Sequence, residues 1–90
     1  MDLVVQKYGG TSVANTKKIK NIARNIQKLR KRKKSLVVVV SAMAGETDKL
    51  HNLTKDISKI PNDREYDQII STGEKVSAGL VTMALLEIGI

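Results

Sequence analysis

The 90-residue chain has no cysteine, no phenylalanine, no tryptophan and a single proline. Without cysteine there is neither a disulfide nor a thiolate metal site, which fits a reducing compartment. Tyr8 and Tyr66 are the only aromatic residues, so Val, Ile, Leu and Met must supply nearly all of the apolar burial. A chain of this size buries about two thirds of its unfolded surface at most, and the expected core is thin. Asp2 stands where a secretory leader would carry positive charge, and the apolar run behind it is short. No later run approaches the roughly 18 to 20 apolar residues that span a bilayer. The expectation is a soluble, cytoplasmic protein with no membrane partner.

Metal-ligand patterns are also missing. His51 stands between Leu50 and Asn52 with no His, Cys or carboxylate at ligand spacing, and reads as a surface residue. The methionines read as core filler. Positive charge, in contrast, is abundant: the net charge is +7, and Lys28, Arg30, Lys31, Arg32, Lys33 and Lys34 are nearly contiguous. Such a run could meet nucleic acid phosphates. The better reading is a helix C-terminus whose macrodipole the cations complement, because no aromatic residue lies nearby for bases to stack on. No nucleic acid partner is expected.

Along the chain, residues 3–6 predict a strand. Asn15 is a good N-cap, and Ile19, Ile22, Ala23, Ile26 and Leu29 follow at spacings of three and four, an amphipathic helix of about five turns. The basic run and Ser35 end it. Leu36, Val37, Val38, Val39 and Val40 are apolar on both faces, as in a parallel strand covered by helices on both sides. The order strand, helix, strand favours a right-handed βαβ unit and an α/β class. Leu50, Leu53 and Ile57 start a second helical stripe that Pro61 and Asn62 break. A third helical region covers about 64–87, with a local break or bend expected at Ser71, Thr72 and Gly73. The chain finishes at Gly89 and Ile90, where a helix cap should hand over to another strand. Two strands would leave sheet edges open, so the chain is expected to be the first part of a larger domain or to need a partner.

Three polar clusters stand at the ends of these elements: residues 7–12, 41–48 and 71–75. The first combines Lys7, Tyr8, Gly9, Gly10, Thr11 and Ser12 at a strand-to-helix turn. Unpaired N–H groups there suit an anion such as a nucleotide phosphate, and glycine lets oxygens approach the backbone closely. The same pair of glycines also makes a tight turn with no ligand, and it matches neither the P-loop nor the dinucleotide pattern. Lys7 could neutralise charge on a transferring phosphoryl group or be a surface lysine at a strand end. Ser41 and Thr47 could donate to a carboxylate, or serve as a strand-end cap and a first-turn helix residue. Glu74 could pair with an ammonium group, or be a solvated glutamate at a helix start. The first two clusters follow parallel strands, on the sheet edge where open α/β sheets bind ligands.

In this order and spacing, Lys7-Tyr8-Gly9-Gly10-Thr11-Ser12, the run VVVVSAMAGET over 37–47, and Ser71-Thr72-Gly73-Glu74 resemble the three N-terminal signatures of the aspartokinases. The resemblance covers essentially the whole chain. It implies the three-layer α/β/α sandwich of the amino-acid kinase type, with residues 1–90 forming only its first part. It implies transfer of the ATP γ-phosphoryl group to the side-chain carboxylate of L-aspartate, at the start of lysine, threonine, methionine and diaminopimelate synthesis. Lys7, Tyr8, Gly9 and Gly10 would then line the ATP phosphates, with Lys7 the catalytic cation. Ser41, Thr47 and Glu74 would hold aspartate, Glu74 through its α-ammonium group. Mg2+ would arrive with ATP, and no metal ligand is expected in the chain. The resemblance further implies an oligomeric parent with ACT domains that bind a feedback effector such as lysine or threonine. Those domains and the adenine site are absent from the sequence, so this chain alone is expected to be inactive. The competing reading is a non-catalytic nucleotide- or anion-binding α/β module.

Overall fold

Two parallel strands and the helices that cover one of their faces make up the fold. The computed structural model describes residues 3–32 and 35–90, so Asp2, and Lys33 and Lys34 of the basic run, lie outside the described residues. Strand β1 (Leu3–Tyr8) leads through a short 3-10 turn (Gly10–Val13) into helix α1 (Thr16–Lys31), which returns to strand β2 (Ser35–Val40). Helices α2 (Glu46–Ile57) and α3 (Asp63–Glu87) follow. The strands pair in parallel, Leu3 opposite Ser35 and Tyr8 opposite Val40. That is the βαβ unit and the α/β class that the periodicities predict.

Helix α1 begins where Asn15 accepts a hydrogen bond from the Lys18 N–H at 2.9 Å, and it ends with Lys28, Arg30 and Lys31 in its last turn, where cations offset the dipole. Its apolar stripe Ile19, Ile22, Ala23 and Ile26 is buried and joins Val13 and Val81 in the core. Two boundaries differ from the expected ones. Strand β1 continues through Lys7 and Tyr8, because pairing with Val39 and Val40 extends the ladder beyond the apolar residues. Ser35 opens β2 instead of closing α1.

Strand β2 is not covered on both sides. Leu36, Val38 and Val40 pack on the core, while Val37 and Val39 are 46% and 45% exposed. They share the open face with Leu3, Val5 and Lys7, since alternate residues of paired parallel strands point to one side. Helices α1 and α3 both lie on the other face, so the described residues form two of the three expected layers. The radius of gyration is 15.4 Å. A compact chain of this length would give about 12 Å, and the difference reflects this openness.

No break interrupts α3. The Ser71 hydroxyl donates to the Gln68 carbonyl at 2.9 Å and the Thr72 hydroxyl to the Ile69 carbonyl at 2.6 Å, so both are satisfied inside the helix they were expected to disrupt. The third polar cluster therefore lies mid-helix and not at an element end. The buried stripe of α3 is Gly73, Ser77 and Val81, whereas Val76, Met83 and Leu86 face outward. Met43 packs on the core as filler, but Met83 is exposed. Helix α3 is long and apolar enough to cross a membrane by average hydropathy, although Glu74 and Lys75 sit inside that stretch; Gly73, Ser77 and Val81 pack on the fold and most of its surface is open. It ends in a Schellman motif: Gly89 N–H donates to Leu86, Ile90 N–H to Leu85, and Gly89 takes the positive φ of +85° that the motif needs.

His51 is not a plain surface residue. It is half-buried, with Nδ1 2.8 Å from the Tyr66 hydroxyl, and it ties α2 to α3. Sequence spacing gives no sign of a pair 15 residues apart.

Candidate functional site

At the C-terminal edge of the sheet, Tyr8 ends β1 and its carbonyl accepts a hydrogen bond from the Ser41 N–H at 3.0 Å. That bond fastens the first polar segment to the second one residue beyond the strand ladder. Gly9 is extended (φ −77°, ψ 176°) and exposed, and a methyl group there would meet nothing within 4 Å. Its backbone is therefore open to a ligand. Gly10 is closer packed: a Cβ would lie 3.4 Å from the Ala42 carbonyl oxygen and 3.8 Å from the Ala44 Cα. Lys18, from the first turn of α1, donates to the Thr11 carbonyl at 2.9 Å and pins the far end of the loop.

The third segment arrives at the same residue. A Cβ at Gly73 would sit 2.8 Å from the Ala42 Cβ and 3.6 Å from Leu50 Cδ1. Ala42 is 5% exposed, with Gly10 on one side and Gly73 on the other. Three clusters separated by tens of residues thus meet around one alanine, which sequence reading left unremarked because an alanine carries no chemical signal.

The side chains are arranged as follows. Lys7 projects from the open face of β1, exposed. Tyr8 turns the opposite way, toward α1, where its hydroxyl donates to Gln6 Oε1 and bonds the Asn25 side chain. Burial pushes the Tyr8 phenol above its usual 10.0, and the Asn25 bond opposes that shift. Tyr8 meets the site through its backbone. Ser41 is half-buried beside the Tyr8 carbonyl. Thr47 is exposed in the first turn of α2, a helix that starts from Gly45 at φ +84°. Glu74 is exposed in the middle of α3, so the helix-start reading does not hold, and it adjoins the Gly73 contact. No three His, Cys, Asp or Glu side chains are clustered to hold a metal ion among the described residues.

This edge presents a cation, open glycine backbone, a hydroxyl and a carboxylate. An anion fits the Lys7 and Gly9 side, and an ammonium group fits Glu74. Grooves of about 300 Å³ between α1 and α3, about 330 Å³ between α2 and α3 and about 400 Å³ between the ends of α1 and α3 lie away from this edge, while one of about 280 Å³ is lined by Tyr8, Thr11 and Ser12 on the α1 side; none of the four is lined by Lys7, Ser41, Thr47 or Glu74.

The sequence pattern described as "Amino acid kinase family" matches residues 2–90. The chain belongs to the amino acid kinase family. Over all 90 residues it is 49% identical to the aspartate kinase of Pseudomonas putida, and over 89 residues it is 46% identical to the aspartokinase of Geobacillus stearothermophilus. In both cases it spans only 22% of the relative. The crystal structure of aspartate kinase from Synechocystis superposes with a TM-score of 0.94 and 48% identity over 97% of this chain and 15% of that one. The fold of this chain is therefore that of part of an aspartate kinase, and the resemblance read from the three signatures holds at the level of family and fold. Within that frame Ala42 and Lys18 are the structural residues that the motifs alone did not single out, and Gly73, expected to break α3, packs against Ala42 instead.

Proposed function

We propose that the chain supplies the phosphate-holding segment and part of the aspartate-holding segment of an aspartate kinase. The observation that carries this reading is the meeting of the three signature segments around Ala42, in a chain about half identical to aspartate kinases throughout its length. In the reaction a side-chain carboxylate oxygen of L-aspartate forms a bond to the γ-phosphorus of ATP. The bond to the β,γ-bridging oxygen breaks, leaving ADP and 4-phospho-L-aspartate.

Charge builds on the transferring group and on the bridging oxygen, and Lys7 neutralises it from the strand end. Gly9 and Gly10 offer backbone N–H groups that side-chain bulk does not screen, and Tyr8 fixes that backbone through its anchored side chain. Glu74 pairs with the α-ammonium of aspartate, while Ser41 and Thr47 donate to its carboxylates. Magnesium would come with ATP. Residues 1–90 form the N-terminal portion of the kinase domain. The remaining catalytic groups, and any oligomer contacts and lysine or threonine effector sites, belong to segments comparable to the four fifths of the relatives that this chain does not span. The parent works in the cytoplasm at the head of lysine, threonine and methionine synthesis, and the isolated chain is inactive.

A chimera tests this reading. With this chain in place of the matching segment of the Pseudomonas putida enzyme, ATP and aspartate should give an acyl phosphate that hydroxylamine traps. Lys7→Ala in the chimera should lower kcat by about 10²–10³, the loss typical of removing one group that stabilises transition-state charge. Near-normal turnover of that variant would remove Lys7 from the chemistry.

A further inference from the structure

We propose that Gly73 and Ala42 are a positioning pair that sets the distance between the phosphate loop and the aspartate-binding glutamate. This rests on the aspartate kinase reading above and assigns a role to two residues that bear no reactive group.

Glycine is a poor choice for the interior of a helix, where it disfavours the fold relative to alanine. Helix α3 nevertheless carries two. Gly79 faces open space, with nothing within 4 Å of a Cβ position. Gly73 faces Ala42 so closely that a Cβ would stand 2.8 Å from the alanine methyl, well inside ordinary carbon contact of about 3.5–4.0 Å. One turn on, Ser77 is fully buried and its hydroxyl bonds back to the Gly73 carbonyl at 3.4 Å. Only after Ser77 does the buried stripe widen to Val81. The smallest residues of the buried stripe of α3 are thus at the site end, and they let the helix lie directly against the loop after β2.

The partner in this contact cannot easily yield. Ser41 is bonded to the Tyr8 carbonyl, and the Ala42 carbonyl is backed by Gly10, so the loop is braced against the phosphate segment. Among the described residues helix α3 has no such brace on its outer side, where Val76 and Gly79 are exposed. A methyl at position 73 therefore moves α3 outward by about 1 Å, taking Glu74 with it and leaving Lys7, Gly9 and Gly10 in place. A misplacement of that size in a binding constellation costs up to about a hundredfold.

The test is a two-by-two set, Gly73→Ala, Ala42→Gly and the double variant, in the chimeric kinase described above, with Gly79→Ala as control. Gly73→Ala should raise the KM for aspartate by about tenfold or more while the KM for ATP stays within about threefold. Adding Ala42→Gly removes the opposing methyl and should restore most of the aspartate KM. Gly79→Ala should leave both constants unchanged. A role limited to folding would instead lower the melting temperature and the amount of active enzyme without separating the two KM values. Unchanged aspartate KM in Gly73→Ala, or failure of Ala42→Gly to rescue it, overturns the positioning pair while the active parent chimera upholds the kinase reading. A parent chimera that forms no acyl phosphate overturns both.

Discussion

The two faces of the β1–β2 sheet are made of nearly the same residues and have different surroundings. On one face Leu36, Val38 and Val40 lie under α1 and α3 with Ile22, Ile26 and Val81. On the other, Leu3 and Val5 are 66% and 63% exposed beside Val37 and Val39, with Lys7 at the end of the row. The aliphatic composition of both faces is that of a strand pair designed for burial on each side. The row of four exposed aliphatics leads to Lys7, the cation that the candidate site presents on this face. Covered and open faces therefore differ in kind: the first holds the chain together, and the second presents Lys7.

Substitution on the two faces should have unequal effects, and the largest falls on the covered one. Ile22→Ala removes a side chain that is 3% exposed at the centre of the core and should destabilise the 90-residue chain by about 2–5 kcal/mol. Val5→Ala on the open face should change the stability by no more than about 0.5 kcal/mol. Urea melts of the two variants check this. Equal losses would break the comparison by showing the open face to be packed in solution. In the chimeric kinase the cost of Val5→Ala should rise above about 1 kcal/mol, because a covered valine forfeits both its transfer energy and its contacts.

A smaller effect separates two places on α3. Gly79→Ala adds a methyl to a solvent-facing helical position and should stabilise the fold by about 0.8–1 kcal/mol. The same change at Gly73 meets Ala42 and should give none of that gain. Thermal melts of the pair measure the difference directly, and an equal gain at both positions would mean that α3 already stands off from the loop.

These contrasts mark where sequence reading succeeds and where it stops. Helix α1 was legible because its cap and its apolar stripe are local: Asn15 does cap, and Ile19, Ile22, Ala23 and Ile26 are buried. The three signature segments were legible as chemistry from residue type, and their presence on one sheet edge followed for the first two from the βαβ pattern. Ser71, Thr72 and Gly73 misled because their preference for a break is a local tendency. A helix that satisfies both hydroxyls internally and uses the glycine for a tertiary contact overrides it. The same limit hid the end of β1. Lys7 and Tyr8 are strand residues by virtue of Val39 and Val40, which lie more than 30 residues away. The junction at Ala42 and the His51–Tyr66 bond were illegible for that reason, since each exists only through packing between separate elements.

The smallest expected effect belongs to Tyr8, which adjoins Lys7 and points to the covered face. Burial raises its pKa above the usual 10.0, so the folded state holds the phenol proton more tightly than the unfolded chain does. The stability that this provides is complete below the unfolded pKa near 10 and is lost as the pH rises through the higher folded value, because ionisation then favours the unfolded chain. The hydrogen bond from Asn25 supports the anion and reduces the fall, and burial is the larger cause. Unfolding free energy measured from pH 9 upward should therefore decline more steeply in the parent chain than in Tyr8→Phe, which has no proton to lose. Every other ionisable group is common to both proteins and cancels in the difference. If the two curves run parallel, the Tyr8 hydroxyl is as well solvated in the fold as out of it, and the distinction between covered and open faces ends before the last residue of β1.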